Sequence, residues 1–331
     1  MFRTASLTGV LVGATLLLGS APAWAGLLGT TPFTVSCGTV INVTAANSGL
    51  TLALDTTDPI LSTRCTGGGI KVVNKGSNAL NQFFTIDCQT NQAAPIMGSG
   101  IGIRLDGPNL AAFNCYVDGF TVGLEADGDG ADVEDSQVQN ATGDGFVVKS
   151  KLAITNINIV GVTFTGNRAI GNGGWGFNLA ANEISGGTGS FFNNIADGNS
   201  KGGFTIKGDG NALSGSEADN NGGPGFLIVS KSCCSGSSGQ SFDTATAFAN
   251  QGAGIVYEAR NDGSNCVGGT APTCTGGTFF PLGFDTTPGG ITAADNMGAC
   301  PPKSLPTALG AGVCPIVLGN LCSASALNRC P

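Results

Sequence analysis

A short unit, Gly-apolar-x-apolar, recurs along the middle of the chain. Its copies are Gly102-Ile103-Arg104-Leu105, Gly123-Leu124-Glu125-Ala126, Gly145-Phe146-Val147-Val148, Gly176-Phe177-Asn178-Leu179, Gly203-Phe204-Thr205-Ile206, Gly225-Phe226-Leu227-Ile228 and Gly254-Ile255-Val256-Tyr257. The first apolar positions stand 21, 22, 31, 27, 22 and 29 residues apart, so loops of unequal length join a constant element. That element is a strand, because in an extended chain residues i and i+2 share one face while i+1 and i+3 share the other. Asn140, Asn172, Asn199, Asn220-Asn221 and Asn250 lie a few residues ahead of the strands. Turns are expected there, since Asn tolerates the left-handed backbone of a sharp turn. One repeat of this size cannot bury its apolar face alone, whereas stacked repeats can. The uneven period and the lack of Leu at fixed offsets exclude a leucine-rich horseshoe, and the repeats are too short for propeller blades. The pattern therefore predicts an all-β fold, a right-handed parallel β-helix (a β-solenoid).

The stretch Phe192-Asn193-Asn194-Ile195-Ala196-Asp197-Gly198-Asn199, followed by Gly202-Gly203-Phe204, resembles the right-handed parallel β-helix repeats of the pectate-lyase-like superfamily. The resemblance extends over about residues 70–260 and implies the fold. It implies no single activity, because the superfamily includes lyases, hydrolases, epimerases, phage tailspikes and non-catalytic surface proteins.

The ends of the chain read differently from the middle. Arg3, the apolar stretch from Leu7 to Leu18 and the small-x-small site Ala23-Trp24-Ala25 predict a secretion signal over residues 1–25. This stretch falls short of the roughly 20 apolar residues of a membrane span. The expectation is a secreted, periplasmic or cell-surface protein without membrane insertion. Residues 26–265 are assigned to the β-helix with its N-terminal cap. Residues 266–331 hold six Cys and eight Pro without a repeat, and are assigned to a disulfide-rich C-terminal cap or tail. All 12 Cys lie beyond the signal, there is no His, and no Cys pair has C-x-x-C spacing, so disulfides are expected rather than zinc. The formal charge of −8, with no basic stripe, argues against a nucleic-acid partner.

Candidate chemistry comes from the outward columns. At i+1 these run Arg104, Glu125, Val147, Asn178, Thr205, Leu227, Val256, and at i+3 Asp106, Asp127, Lys149, Ala180, Lys207, Val229, Glu258. With coils about 4.8 Å apart, Arg104, Asp106, Glu125, Asp127 and Lys149 are expected to form one patch. The patch borders an acidic run, Asp118, Glu125, Asp127, Asp129, Asp132, Glu134 and Asp135, that contains no Lys or Arg. Crowded carboxylates repel unless a cation relieves them, and Ca2+, which takes six to eight oxygens, is the natural extracellular candidate. Asp127-Gly128-Asp129-Gly130 begins like an EF-hand, but Ala131 at the third ligand position breaks that motif.

The resemblance to calcium-dependent polysaccharide lyases implies Asp106, Glu125, Asp127 and Asp129 as calcium ligands. It implies Arg104 or Lys149 as the base that removes the proton beside a uronate carboxylate. The alternative for the same residues is a ladder of exposed ion pairs, Arg104 with Glu125 and Asp127 with Lys149. Without His, Ser-His-Asp and Cys-His chemistry are excluded. Carboxylate pairs, as in glycoside hydrolysis, or calcium with Arg or Lys remain. Aromatic platforms for sugars are scarce. Trp175 is the candidate for sugar stacking, with coil-edge packing as its alternative, and the column Phe146, Phe177, Phe204, Phe226 is expected inside. Two functions stay open: a non-catalytic binder of extracellular glycan or a cell-surface partner, and a calcium-dependent lyase of an acidic polysaccharide.

Overall fold

A computed structural model of the chain describes residues 34–149, 161–182, 189–208, 211–230, 241–259, 292–294 and 314–318, except 56, 76, 77 and 90. The chain is a right-handed parallel β-helix whose coils lay strands into three sheets of 10, 8 and 9 strands. Coils are numbered by their first-sheet strands. Coils 1 to 4 are Thr39–Asn42, Ile70–Val73, Ile101–Asp106 and Val122–Asp127, and coils 5 to 9 are Phe146–Lys149, Trp175–Asn182, Gly202–Gly208, Phe226–Ser230 and Ile255–Ala259. Neighbouring coils pair in parallel with Ile103, Leu124, Phe146, Phe177, Phe204, Phe226 and Ile255 in one register column. All seven are buried. The four Phe rings stack with centroids 4.8, 4.6 and 4.8 Å apart and planes within 10° of parallel. The strand spacing thus doubles as the spacing of an aromatic stack, which adds about 0.5–1.5 kcal/mol per pair beyond area burial.

The Gly of the repeat has a packing cause. A Cβ on Gly123 would lie 2.8 Å from the Gly145 carbonyl oxygen, and one on Gly145 would lie 2.7 Å from that of Gly176. Neither needs a left-handed backbone. That task falls to a different column, Gly119, Asn140, Gly171, Gly198, Asn220 and Ala249, all with φ between 53° and 74°. The Asn residues ahead of the strands therefore divide into two roles that the sequence reading had merged. Asn140 and Asn220 make the left-handed turn. Asn172, Asn199, Asn221 and Asn250 follow it, point inward and are fully buried. Each of the first three donates its Nδ2 to the Oδ1 of the next, at 2.8, 3.0 and 2.8 Å, and also to a carbonyl of the preceding coil. At the corner between the second and third sheets a matching column links Cys115, Ser136, Asn167, Asn194 and Ser216. Buried amides persist because their hydrogen-bonding groups are satisfied along the helix axis.

Disulfides reinforce the N-terminal coils. Cys37 pairs with Cys65 and Cys88 with Cys115, in keeping with folding in an oxidising compartment. At the other end Cys314–Leu318 pairs antiparallel with Ile255–Ala259, at the edge of the first sheet. The proposed signal, the adjacent Cys233 and Cys234, and most of residues 266–331 lie outside the described residues. Among those described, no helix is long and apolar enough to cross a membrane.

Candidate functional site

The expected register holds on the outer face of the first sheet. Arg104 pairs with Glu125 and Asp106 with Asp127, and Glu125 pairs onward with Val147. On coil 2, Lys71 stands beside Arg104. Although these positions face outward, the carboxylates of Asp106, Glu125 and Asp127 are only 3%, 1% and 0% exposed. Long cationic side chains lie across them, stems on the sheet and charged heads toward water.

The ion pairs differ from the expected ladder. Arg104 bridges two carboxylates: its Nη2 donates to Asp127 Oδ2 at 2.9 Å, and its Nε lies 3.4 Å from Glu125 Oε1. Lys149 Nζ sits on Glu125 Oε2, not on Asp127. Asp106 Oδ2 receives Lys71 at 3.0 Å and Lys75 at 2.8 Å. Three carboxylates and four cations thus form two adjoining clusters, Asp106 with Lys71 and Lys75, and Glu125 and Asp127 with Arg104 and Lys149, with a single positive charge in excess overall.

The electrostatics follow from this arrangement. Burial works to lower the Arg104 pKa, but the Asp127 hydrogen bond and the charges of Glu125, Asp106 and Asp127 outweigh it and hold the group above its ordinary value. A base must give up its proton first, and this environment favours the cation. For Asp106, burial works upward, but hydrogen bonds from Lys75 and Lys71 hold the carboxyl below its usual range.

The acidic run does not gather into a cage. Asp127 ends the first-sheet strand, Asp129 lies half-buried in the turn after it, and Asp132 and Glu134 face outward from the second sheet. Asp135 occupies a left-handed corner with φ 47°, and Asp118 ends a third-sheet strand. Coil 3 ends in Asp118 on the third sheet, and coil 4 carries the rest of the run across the first and second sheets. Asp129 is therefore separated from Asp106, Glu125 and Asp127, whose oxygens already face protein cations. As they stand these residues do not fit a calcium ion, and no group of three or more metal-ligating side chains occurs among the described residues. Burial, followed by the charge of Glu134, pushes Asp132 up to about 6.

Trp175 begins the coil 6 strand, half-buried, and lies across Gly202 of coil 7, where an added Cβ would meet Cζ3 at 2.3 Å. Asp144 Oδ1 accepts from its backbone N–H at 2.8 Å. One side of the ring is thus packed at the coil edge, and the residue remains partly exposed.

Two features escaped the sequence reading. Lys71 lies in another copy of the repeat, Gly69-Ile70-Lys71-Val72, so the signal was available. The second feature is a concavity of about 220 Å³ on the third sheet, lined by Gln92, Pro95, Tyr116, Val117, Gln137 and Gln139. Its signal is a polar-apolar-polar triplet, seen in Tyr116-Val117-Asp118 and again one coil later in Gln137-Val138-Gln139. No family model, no curated protein and no solved structure matches the chain.

Proposed function

We propose that the protein is an exported β-helix of the pectate-lyase-like kind that binds extracellular glycan without cleaving it. One observation carries this reading: both candidate bases, Arg104 and Lys149, and three of the four candidate calcium ligands, Asp106, Glu125 and Asp127, are committed to ion pairs. Arg104 is held as a cation, Lys149 sits on Glu125, and the carboxylates that calcium would need face four protein cations. The exposed layer of the network is cationic, with Lys75 and Lys149 side chains 61% and 53% exposed above carboxylates that water scarcely reaches. Carboxylate or sulfate groups on a glycan can approach these heads without a bridging metal, even though the whole chain is acidic.

The test incubates the full protein with pectate, alginate and a sulfated glycosaminoglycan, in calcium or in EDTA. Ultraviolet absorbance follows unsaturated uronates, and affinity electrophoresis follows binding. The expected outcome is no absorbance with any polymer and retardation by at least one, unchanged by EDTA. Calcium-dependent absorbance would restore the lyase reading, and no retardation by any polymer would remove glycan binding at this face.

A further inference from the structure

The third-sheet concavity has a chemistry distinct from the charged face. Gln92 and Pro95 come from the segment between the second and third sheets of coil 2, Tyr116 from coil 3, and Gln137 and Gln139 from coil 4. Gln137 is the direct neighbour of Tyr116, and Gln139 of Asp118. The segment carrying Gln92 and Pro95 is fixed at both ends. Cys88 is bonded to Cys115, the residue before Tyr116, and Ile96 pairs with Val117. The walls of the cleft are thus tied together covalently, and the aromatic ring is held beside them.

Its amides orient one another. Asp118 Oδ2 accepts at 3.2 Å, and an ionised carboxylate can only accept, so Gln139 must present Nε2 to it. Gln139 Oε1 is thereby turned to receive Gln137 Nε2 at 2.9 Å. The relay engages Gln137 through its Nε2, and Gln137 is the register neighbour of Tyr116. Asn140 Nδ2 holds the other Asp118 oxygen at 3.0 Å. One half-buried aromatic ring, preset amide groups and no charged side chain in the lining form the combination that recognises a pyranose, with its apolar C–H face and its hydroxyls at the edge. A cavity of about 220 Å³ is smaller than the roughly 300–1,000 Å³ of drug-sized sites, and suits one ring of a chain rather than a whole oligosaccharide. The lining itself offers no cation to a uronate or sulfate: Asp118 stands beyond Gln139 and Arg168 of coil 5 beside Gln137, and neither lines the cleft.

We propose that Tyr116, Gln137, Gln139 and Gln92 form a binding site for an uncharged sugar unit, separate from the cationic first-sheet face. The proposal extends glycan binding to a second face. It uses other residues and other ligands, so either site can fail alone.

The test is calorimetric titration of the full protein with cellotetraose, mannotetraose and N-acetylchitotetraose, with tetragalacturonate as the charged control. Binding of at least one neutral oligosaccharide is expected, weakened about tenfold or more by Tyr116→Ala and about fivefold by Gln137→Ala. Tyr116→Phe keeps most of the affinity, because the ring face is retained. Lys75→Gln leaves this binding unchanged, and circular dichroism melts of the variants report whether the fold survives. No heat from any neutral oligosaccharide, heat that Tyr116→Ala leaves intact in a folded protein, or a Tyr116-dependent preference for tetragalacturonate would each overturn the assignment.

Discussion

Coils 3 and 4 present two outer faces built by the same geometry and filled in opposite ways. On the first sheet, Arg104 and Glu125 are cross-strand neighbours, as are Asp106 and Asp127. On the third, Tyr116 and Gln137 are neighbours, as are Asp118 and Gln139. The first face buries its carboxylates under cations, so its polar groups neutralise each other and become structural. The third face uses amides that fix each other's orientation without forming ion pairs. Close charges in an outward column attract partners that cover them, because an uncompensated buried charge costs far more than an unpaired amide. On the first face only the exposed lysine heads are left for a ligand, whereas the amides of the third are oriented without being neutralised.

The largest expected effect breaks the first face alone. Arg104→Met removes the cation that bridges the buried Glu125 and Asp127 and leaves Lys149 on Glu125. Loss of one partner of a buried pair costs about 3–5 kcal/mol. Arg104 keeps 27% exposure, so solvent screening brings the expected loss to about 2–3 kcal/mol. Urea unfolding measures it, and a loss below that of an ordinary surface substitution would show the network to be decorative.

A smaller effect concerns pH. Asp132 titrates near 6 in the folded chain, above the ordinary 3.8, chiefly because of burial and then of Glu134. The native state therefore binds that proton more tightly than the unfolded chain does, and stability falls as pH rises from about 4 to about 6. Asp106, held below its usual value by Lys75 and Lys71, acts in the opposite sense: its contribution is complete above 3.8 and is lost as pH falls below it. Asp132→Asn should flatten the slope of melting temperature between pH 4 and 6. Part of the slope remains, since burial also raises Asp129. An unchanged slope in Asp132→Asn would assign it to other groups.

The smallest effect is at the rim. Lys75→Gln leaves Asp106 with Lys71, so stability should change by less than about 1 kcal/mol. Retardation by acidic polymers should weaken in the same variant. A large loss of stability would mean that the exposed cations are as structural as Arg104.

The period-two spacing of the repeat was enough to identify the strands, the inward Phe column and the register that sets Arg104 beside Glu125. Side-chain alternation leaves little choice once one face is apolar. The same spacing reaches Lys71 through Gly69. It could not separate Asn140 from Asn172, because a left-handed turn and a buried amide ladder both select Asn, for backbone tolerance in one case and hydrogen bonding in the other.

Other features were settled only in three dimensions. The acidic run is contiguous in sequence, yet the corners of coils 3 and 4 send Asp118, Asp127 and Asp132 to three different faces. Burial of the outward carboxylates, and the pairing of Lys149 with Glu125 rather than Asp127, depend on how far long side chains reach between coils. The cleft at Tyr116 depends on where the Cys88–Cys115 disulfide pins an irregular segment carrying Gln92. Local alternation is written along the chain in fixed steps, whereas loops of unequal length and flexible cationic side chains find their places only when the coils are stacked.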